Sequence, residues 1–324
     1  MTRKSIEGII AVMLTPFTAG GAIDHASLER LIDWYVAHQV DVLFAVCQSS
    51  EVFFLSLQER ADLARFVVEK TAGRRPVVAS GHVSDDRAGQ LEELQAVAES
   101  GCDALILITN RLDPKNEGEA AFRANLDWLL ARLPASLPLG LYECPAPYRR
   151  LLSDSELSYC AGSGRFVVMK DVCCDLARVA HRARLVAGTP LAIVNANGTI
   201  AYEAMRVGSK GYSGVFTNIH PDLYAWMYRH RDTHPEMAAE LSEFLVLCSV
   251  AELMGYPAMA KVALRKMGVF ETIACRSLDY DYDKQFWWGG APIVDKLLAA
   301  SERMRRRLAA IEAGDTNQSG TDKK

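Results

Sequence analysis

One lysine ends an otherwise apolar run: Phe166-Val167-Val168-Met169 is followed by Lys170. A lysine in that position is buried, reaches solvent, or works. Burial disfavours the ammonium form and lowers the pKa, which makes the amine a nucleophile toward ketones. On position alone, a side chain reaching solvent explains it equally well. Tyr142 ends the preceding apolar run, where its phenol could move protons during Schiff-base formation and C–C cleavage. Taken singly, it reads more simply as a half-buried tyrosine with a satisfied hydroxyl. Ser49 and Ser50 lie in a loop ahead of a helix, where hydroxyls and amides could hold a carboxylate. Alone, they read as a serine-rich turn. Other apolar runs end on Thr15, on Gln48, on Thr109-Asn110-Arg111, on Asn195 to Asn197 and on Ser213. No histidines or paired carboxylates converge in this set, so no metal site is expected, and no glycine loop of the phosphate-cradling kind is present.

The elements that must position these residues repeat. Short apolar runs occur at Ile9–Leu14, Val42–Val46, Val77–Ala79, Ala104–Ile108, Leu139–Tyr142, Phe166–Met169, Leu191–Val194 and Gly211–Val215. Amphipathic stretches lie between them, among them Leu28–His38, Ala61–Lys70, Leu91–Glu99 and Phe122–Leu130. Ser56 with Glu59, and Ser153 with Glu156, have capping-box spacing, which marks helix starts. Near-continuous apolar strands indicate a parallel sheet buried on both faces. Eight such units predict an α/β fold, a (β/α)8 TIM barrel over residues 1–221, whose site would sit at the C-terminal ends of the strands. A doubly wound sheet is the structural alternative, but its Gly-rich nucleotide turn has no counterpart here. Strand signals stop after Pro221. Residues 222–312 read as a C-terminal helical extension with turns at Gly255-Tyr256-Pro257 and Gly289-Gly290, and residues 313–324 as a polar, disordered tail.

Bulk properties narrow the function classes. The 324 residues carry a formal net charge of -4, which argues against nucleic acid as a partner. The one dense basic run, Arg305-Arg306-Arg307, reads as a solvated helix face. Eight cysteines include no CxxC pair, which fits reduced thiols and a cytoplasmic location. Arg3 and Lys4 ahead of Ile9–Leu14 imitate a signal peptide, but the apolar run is too short and reads as a first buried strand. No run approaches the roughly 18 apolar residues that span a membrane.

Taken together, these residues resemble the dihydrodipicolinate synthase / N-acetylneuraminate lyase family over nearly the whole chain. Gly8-Ile9-Ile10-Ala11 through Leu14-Thr15-Pro16-Phe17 is similar to that family's first strand, and Gly20-Gly21-Ala22-Ile23-Asp24 to the turn after it. Cys47-Gln48-Ser49-Ser50-Glu51 stands where the family has Gly-(Thr/Ser)-Thr-Gly-Glu. Leu141-Tyr142-Glu143-Cys144-Pro145 matches its Leu-Tyr-Asn-x-Pro block, and Met169-Lys170-Asp171 its Ile-Lys-Asp/Glu block, at the family's spacing. Gly208-Ser209-Lys210-Gly211 with Asn218, and Lys261-Val262-Ala263-Leu264, resemble later segments. The resemblance implies that Lys170 forms a Schiff base with a 2-oxo acid and that Tyr142 moves protons. It also implies that Ser49, with Ser50, holds the carboxylate, that no metal or organic cofactor takes part, and that the chain forms a homo-oligomer, a dimer or tetramer.

Departures from the pattern bear on the substrate. Where the family has a tyrosine that reaches a neighbouring subunit's proton relay, this chain reads Thr109-Asn110-Arg111-Leu112-Asp113-Pro114. Gln48 occupies the position whose hydroxyl joins that relay. Dihydrodipicolinate synthases carry an arginine five residues after the tyrosine to grip the aldehyde's carboxylate; that position is Pro147, and Arg149 and Arg150 are out of register. Ala196-Asn197-Gly198 replaces Gly-Asp-Asp, and polar groups such as Asn197 suit the hydroxyls of a sugar acid. Thr15, Gln48, Asn197 and Ser213 complete the expected substrate-binding set. The leading expectation is a class I lyase or aldolase acting on a 2-keto-3-deoxy sugar acid or related 2-oxo acid, and not a true dihydrodipicolinate synthase. A dehydratase using the same imine, and a binding or sensor protein that kept the barrel, are the alternatives.

Overall fold

The structure is a computed structural model that describes residues 4–321, with side chains described through residue 315. Eight parallel strands close into a barrel in chain order: β1 (Gly8–Val12), β2 (Val42–Phe44), β3 (Val77–Ala79), β4 (Ala104–Ile108), β5 (Leu139–Tyr142), β6 (Phe166–Asp171), β7 (Ala192–Asn195) and β8 (Gly211–Tyr212). Side chains alternate between the two faces with the period of a strand. Ile10, Val12, Phe44, Val78, Ile106, Val168 and Val194 fill the barrel. Their neighbours Ile9, Ala11, Leu43, Leu105, Leu141, Met169 and Ile193 pack under the surrounding helices. Both faces are buried, which is why the strands read as unbroken apolar runs.

The barrel helices are α1 (His25–Ala37), α2 (Leu57–Thr71), α3 (Arg87–Ala98), α4 (Glu119–Leu130), α5 (Asp154–Gly162), α6 (Leu176–Leu185), α7 (Ala201–Arg206) and α8 (Pro221–His230). Both expected capping boxes form: the Ser56 and Ser153 hydroxyls accept from the amides of Glu59 and Glu156, whose carboxylates accept from the Ser56 and Ser153 amides. Because α8 packs on β1, the ring of barrel helices closes beyond residue 221.

Closure of the sheet depends on two glycines that pair across the β1–β8 seam, Gly8 and Gly211. Gly211 adopts φ +150°, and a Cβ there would lie 1.8 Å from the Gly8 carbonyl oxygen. No side chain fits between these backbones.

Helices α9 (Pro235–Ser249), α10 (Ala258–Lys266), α11 (Tyr282–Gln285) and α12 (Gly290–Thr321) follow. The basic run lies in α12, yet only part of it is a free face. Arg305 pairs with Asp222 of α8 at 2.6 Å, Arg307 pairs with Glu240 of α9, and Arg306 has only a loose contact with Glu302 at 3.7 Å. The helix also continues through residues 313–321, where composition predicts a disordered tail; good helix formers at Ala309-Ala310-Ile311-Glu312-Ala313 let it propagate at one hydrogen bond per residue. Residues 322–324 lie outside the described residues. No helix among the described residues is long and apolar enough to cross a membrane.

Candidate active site

A cavity of about 750 Å³ opens at the C-terminal ends of the strands. Lys170 and Tyr142 both line it, and they are direct register partners across the β5–β6 ladder. The Lys170 Nζ lies 4.5 Å from the centre of the Tyr142 ring and 5.8 Å from that of Phe44. No acid pairs with Lys170 among the described residues. Burial lowers its pKa from the ordinary lysine value, opposed in part by the nearby Cys47 and Cys144 thiols. Burial likewise pushes the Tyr142 phenol well above its usual range, so it stays protonated and donates to Gln48 Oε1 at 3.3 Å.

The residues after these two, Glu143 and Asp171, point to the opposite face of the sheet. There both meet Arg182 of α6. The guanidinium donates to Glu143 Oε1 at 2.8 Å and to Asp171 Oδ2 at 2.6 Å, and also to the Leu152 carbonyl at 2.9 Å. All three side chains are essentially sealed from solvent. Burial raises the Glu143 pKa while Arg182 lowers it. One fixed cation thus ties the ends of β5 and β6 together directly behind Tyr142 and Lys170.

The loop after β2 splits the serines. Ser49 lines the cavity. Ser50 does not: its hydroxyl turns inward and donates to the carbonyls of Met13 at 2.7 Å and Ala45 at 3.0 Å, while accepting from the Cys47 amide. Thr15 is also absent from the cavity wall, because its hydroxyl donates to the Ser50 carbonyl at 2.8 Å. These two expected substrate contacts are internal fastenings of the loop. Glu51 closes it in the left-handed region, at φ 60°. The Glu51 carboxylate pairs with Lys261 of α10 at 2.7 Å and accepts from the Arg276 and Ser277 amides at 2.6 and 2.7 Å. The C-terminal helices are therefore anchored on the loop that carries Gln48 and Ser49.

Gln48, Asn197 and Ser213 line the cavity as expected. The Ser213 hydroxyl is buried without a partner among the described residues, whereas the Asn197 Oδ1 is taken up by the amide and hydroxyl of Thr199. At Asn110-Arg111 the side chains are engaged within the chain. The Asn110 Nδ2 holds the carbonyls of Cys144, Ala146 and Tyr148, and Arg111 pairs with Asp85 at 2.6 Å. Arg149 lines the cavity despite its shifted register, with one nitrogen on the Cys173 carbonyl at 2.6 Å. Arg150 points away into Asp113 and Glu156.

Sequence reasoning missed Tyr256. It occupies what reads as a turn between helices, Gly255-Tyr256-Pro257, yet it lines the cavity with Lys170. Its phenol oxygen accepts from Asn218 Nδ2 at 3.3 Å. Burial pushes this phenol well above its ordinary pKa. The only signal was a buried-type aromatic placed between Gly and Pro.

The profile of the Dihydrodipicolinate synthetase family matches residues 5–278. A 4-hydroxy-tetrahydrodipicolinate synthase of Psychrobacter arcticus is 26% identical over 281 residues, covering 83% of this chain and 88% of the relative. A namesake from a Shewanella species is 26% identical over 271 residues, covering 82% and 89%. Two solved structures share the fold. YagE, a prophage protein of E. coli K12 in complex with pyruvate, superposes with a TM-score of 0.80 at 20% identity, covering 93% of this chain and 99% of its own. CdNal of Clostridium difficile in complex with mannosamine gives a TM-score of 0.80 at 15% identity, covering 92% and 99%. With the family match spanning the barrel and the first C-terminal helices, the chain belongs to the dihydrodipicolinate synthetase family of class I, Schiff-base-forming, pyruvate-dependent lyases.

Proposed function

We propose that Lys170 attacks the C2 carbonyl of a 2-oxo acid and that the resulting iminium serves as the electron sink for C–C cleavage or formation. The carrying observation is the Tyr142–Lys170 pair: adjacent across one ladder, buried, and open to the same cavity. A lysine whose pKa burial lowers holds more of its amine in the nucleophilic form. Tyr142, protonated and within bonding distance of Gln48, moves protons during imine formation and at the substrate carbon. The Ser49 hydroxyl holds the carboxylate, with Gln48, Asn197 and Ser213 facing the rest of the substrate. Ser50 and Thr15 act through the shape of the loop.

The substrate we propose is a 2-keto-3-deoxy sugar acid or a related hydroxylated 2-oxo acid. Its cavity of about 750 Å³ greatly exceeds pyruvate, and its walls offer hydroxyl and amide groups at Ser49, Asn197, Thr199, Ser213 and Ser249. Pro147 stands in the position of the family's aldehyde-gripping arginine, and the guanidinium that does reach the cavity wall, Arg149, comes from another position and is tied to the Cys173 carbonyl, which counts against dihydrodipicolinate synthesis. Free cysteines are in keeping with a cytoplasmic enzyme, and family membership with a homo-oligomer, a dimer or tetramer.

Incubation with pyruvate, reduction with borohydride and peptide mass mapping tests the reading, with Lys170→Ala as control. A reduced pyruvate on Lys170 alone supports it. No adduct on folded protein, with pyruvate or longer 2-oxo acids, overturns it. Products from keto-deoxy sugar acids then separate a lyase, which releases pyruvate, from a dehydratase, which keeps the carbon chain.

A further inference from the structure

Two serines on the cavity wall, Ser213 and Ser277, have hydroxyls that are buried and without a hydrogen-bond partner among the described residues. No other cavity-lining side chain among the described residues combines these properties. A buried polar group without a partner has lost its hydration and recovered nothing for it, a state that a ligand relieves.

Ser213 follows β8, and its amide donates to the Asn195 carbonyl at 2.8 Å, which carries the ladder one residue further. Tyr212 points outward, stacked on Tyr224 of α8 with ring centres 4.1 Å apart. Alternation along the strand then turns Ser213 inward, over the barrel mouth, on the face shared by Lys170 and Tyr142. The backbone beside it is tightly packed: a Cβ on Gly214 would fall 2.1 Å from the Tyr212 phenol oxygen and 2.7 Å from the Ala196 carbonyl oxygen. Ser277 comes from the segment after α10. Its amide donates to Glu51 at 2.7 Å, and the guanidinium of the preceding Arg276 donates to Glu59 at 2.7 Å and to the Gly21 carbonyl at 2.8 Å. Both hydroxyls are thus carried on held backbone, one from the barrel and one from the C-terminal segment.

We propose that Ser213 and Ser277 are specificity-determining residues, whose hydroxyls pair with hydroxyl groups on the substrate chain beyond the carbon that bonds to Lys170. The inference rests on the imine reading and deepens it by naming what the pocket reads in its substrate. A substrate hydroxyl both donates and accepts, so it satisfies a serine in either sense, whereas an alkyl chain leaves the serine orphaned. These two groups are already stripped of water in the free protein, so a hydroxylated chain meets them at no further cost of desolvation on the protein side. The cost is carried by the free protein, where a methyl group in place of either hydroxyl would be no worse.

The test compares 2-keto-3-deoxygluconate with 2-oxohexanoate, an acid of the same chain length without hydroxyls. The readout is the concentration of each that gives half-maximal borohydride-trapped label on Lys170, counting every adduct mass. Wild type is expected to favour the hydroxylated acid by about tenfold or more. Ser213→Ala and Ser277→Ala should each cut that preference by about five- to tenfold, the worth of one hydrogen bond, and leave half-saturation by pyruvate within about twofold. Urea unfolding supplies a second readout. Alanine removes an orphaned hydroxyl, so both variants should unfold at the wild-type midpoint or above it.

Equal binding of the two acids by wild type, a preference that survives either substitution, or pyruvate weakened as much as the sugar acid would overturn the inference while leaving the imine chemistry standing. A variant that unfolds at lower urea would also overturn it, by showing that its hydroxyl has a partner in the free protein. Absence of wild-type label on Lys170 with every acid would overturn the imine reading and the inference with it.

Discussion

Glu51 and Lys261 meet at 2.7 Å with both side chains sealed from solvent, joining the loop after β2 to helix α10. The carboxylate also takes two backbone amides from the segment after α10. Removing one member of a buried pair strands the other, which costs more than the pair contributes. Lys261→Ala is therefore expected to destabilise the fold by about 3–5 kcal/mol in urea unfolding. It should also weaken 2-oxo acid binding, because the same loop carries Ser49. An unchanged unfolding midpoint would mean that the two amides alone satisfy Glu51.

Arg182 holds Glu143 and Asp171 behind Tyr142 and Lys170. Arg182→Ala leaves two like charges facing each other without a cation, an expected loss of about 3–5 kcal/mol. Removing one of the two facing charges with Glu143→Gln in the same chain should recover part of that loss. Chemical denaturation of the single and double variants checks both statements.

Lys170 makes a pH-dependent prediction. Its pKa in the folded protein lies below the unfolded value, because burial penalises the ammonium form. The penalty is fully present below the folded pKa and is relieved as pH rises toward the unfolded one. Lys170→Met should thus be more stable than wild type at neutral pH, with the advantage shrinking in alkaline solution. Thermal unfolding of both proteins from neutral to alkaline pH reads this out; an advantage that grew with pH would reverse the assignment.

At the barrel seam, Gly211→Ala would place a methyl group 1.8 Å from the Gly8 carbonyl oxygen. Neither atom belongs to a flexible side chain, so a strand must shift. A loss of about 3 kcal/mol or more is expected, near the severe end for single substitutions. A variant with wild-type melting would show that the seam can open without cost.

Arg149 brings a cation to the cavity wall. Arg149→Gln is expected to raise KM about tenfold for a 2-oxo acid whose far end carries a carboxylate. Pyruvate, which does not extend that far, should be trapped on Lys170 as before. Equal effects on both would place the guanidinium in support of the loop, through its bond to the Cys173 carbonyl.

The barrel was legible because parallel strands buried on both faces leave a plain apolar signature; β3, β4 and β5 have the expected bounds. That Lys170 and Tyr142 stand together at the strand ends was legible because each closes an apolar strand, whereas their chemical roles came from the family resemblance and not from position. Ser50 and Thr15 misled, since a hydroxyl near a site serves the backbone as readily as a ligand, and only its hydrogen-bond partners tell which. Tyr256 was invisible for another reason. Its place on the cavity wall comes from helices far along the chain folding back over the barrel mouth, and no local pattern encodes such a return.

That return has a consequence for the order in which the protein becomes competent. Synthesis delivers β1 to β8, with Tyr142 and Lys170, before any of the segment that holds Tyr256, Lys261 and Ser277. A nascent barrel at that stage has its amine and its phenol but lacks one wall of its cavity, and Glu51 has no partner. On the proposed function, recognition of the substrate waits on a segment that emerges after the barrel, and loss of that segment would leave Lys170 without one wall of the pocket around it.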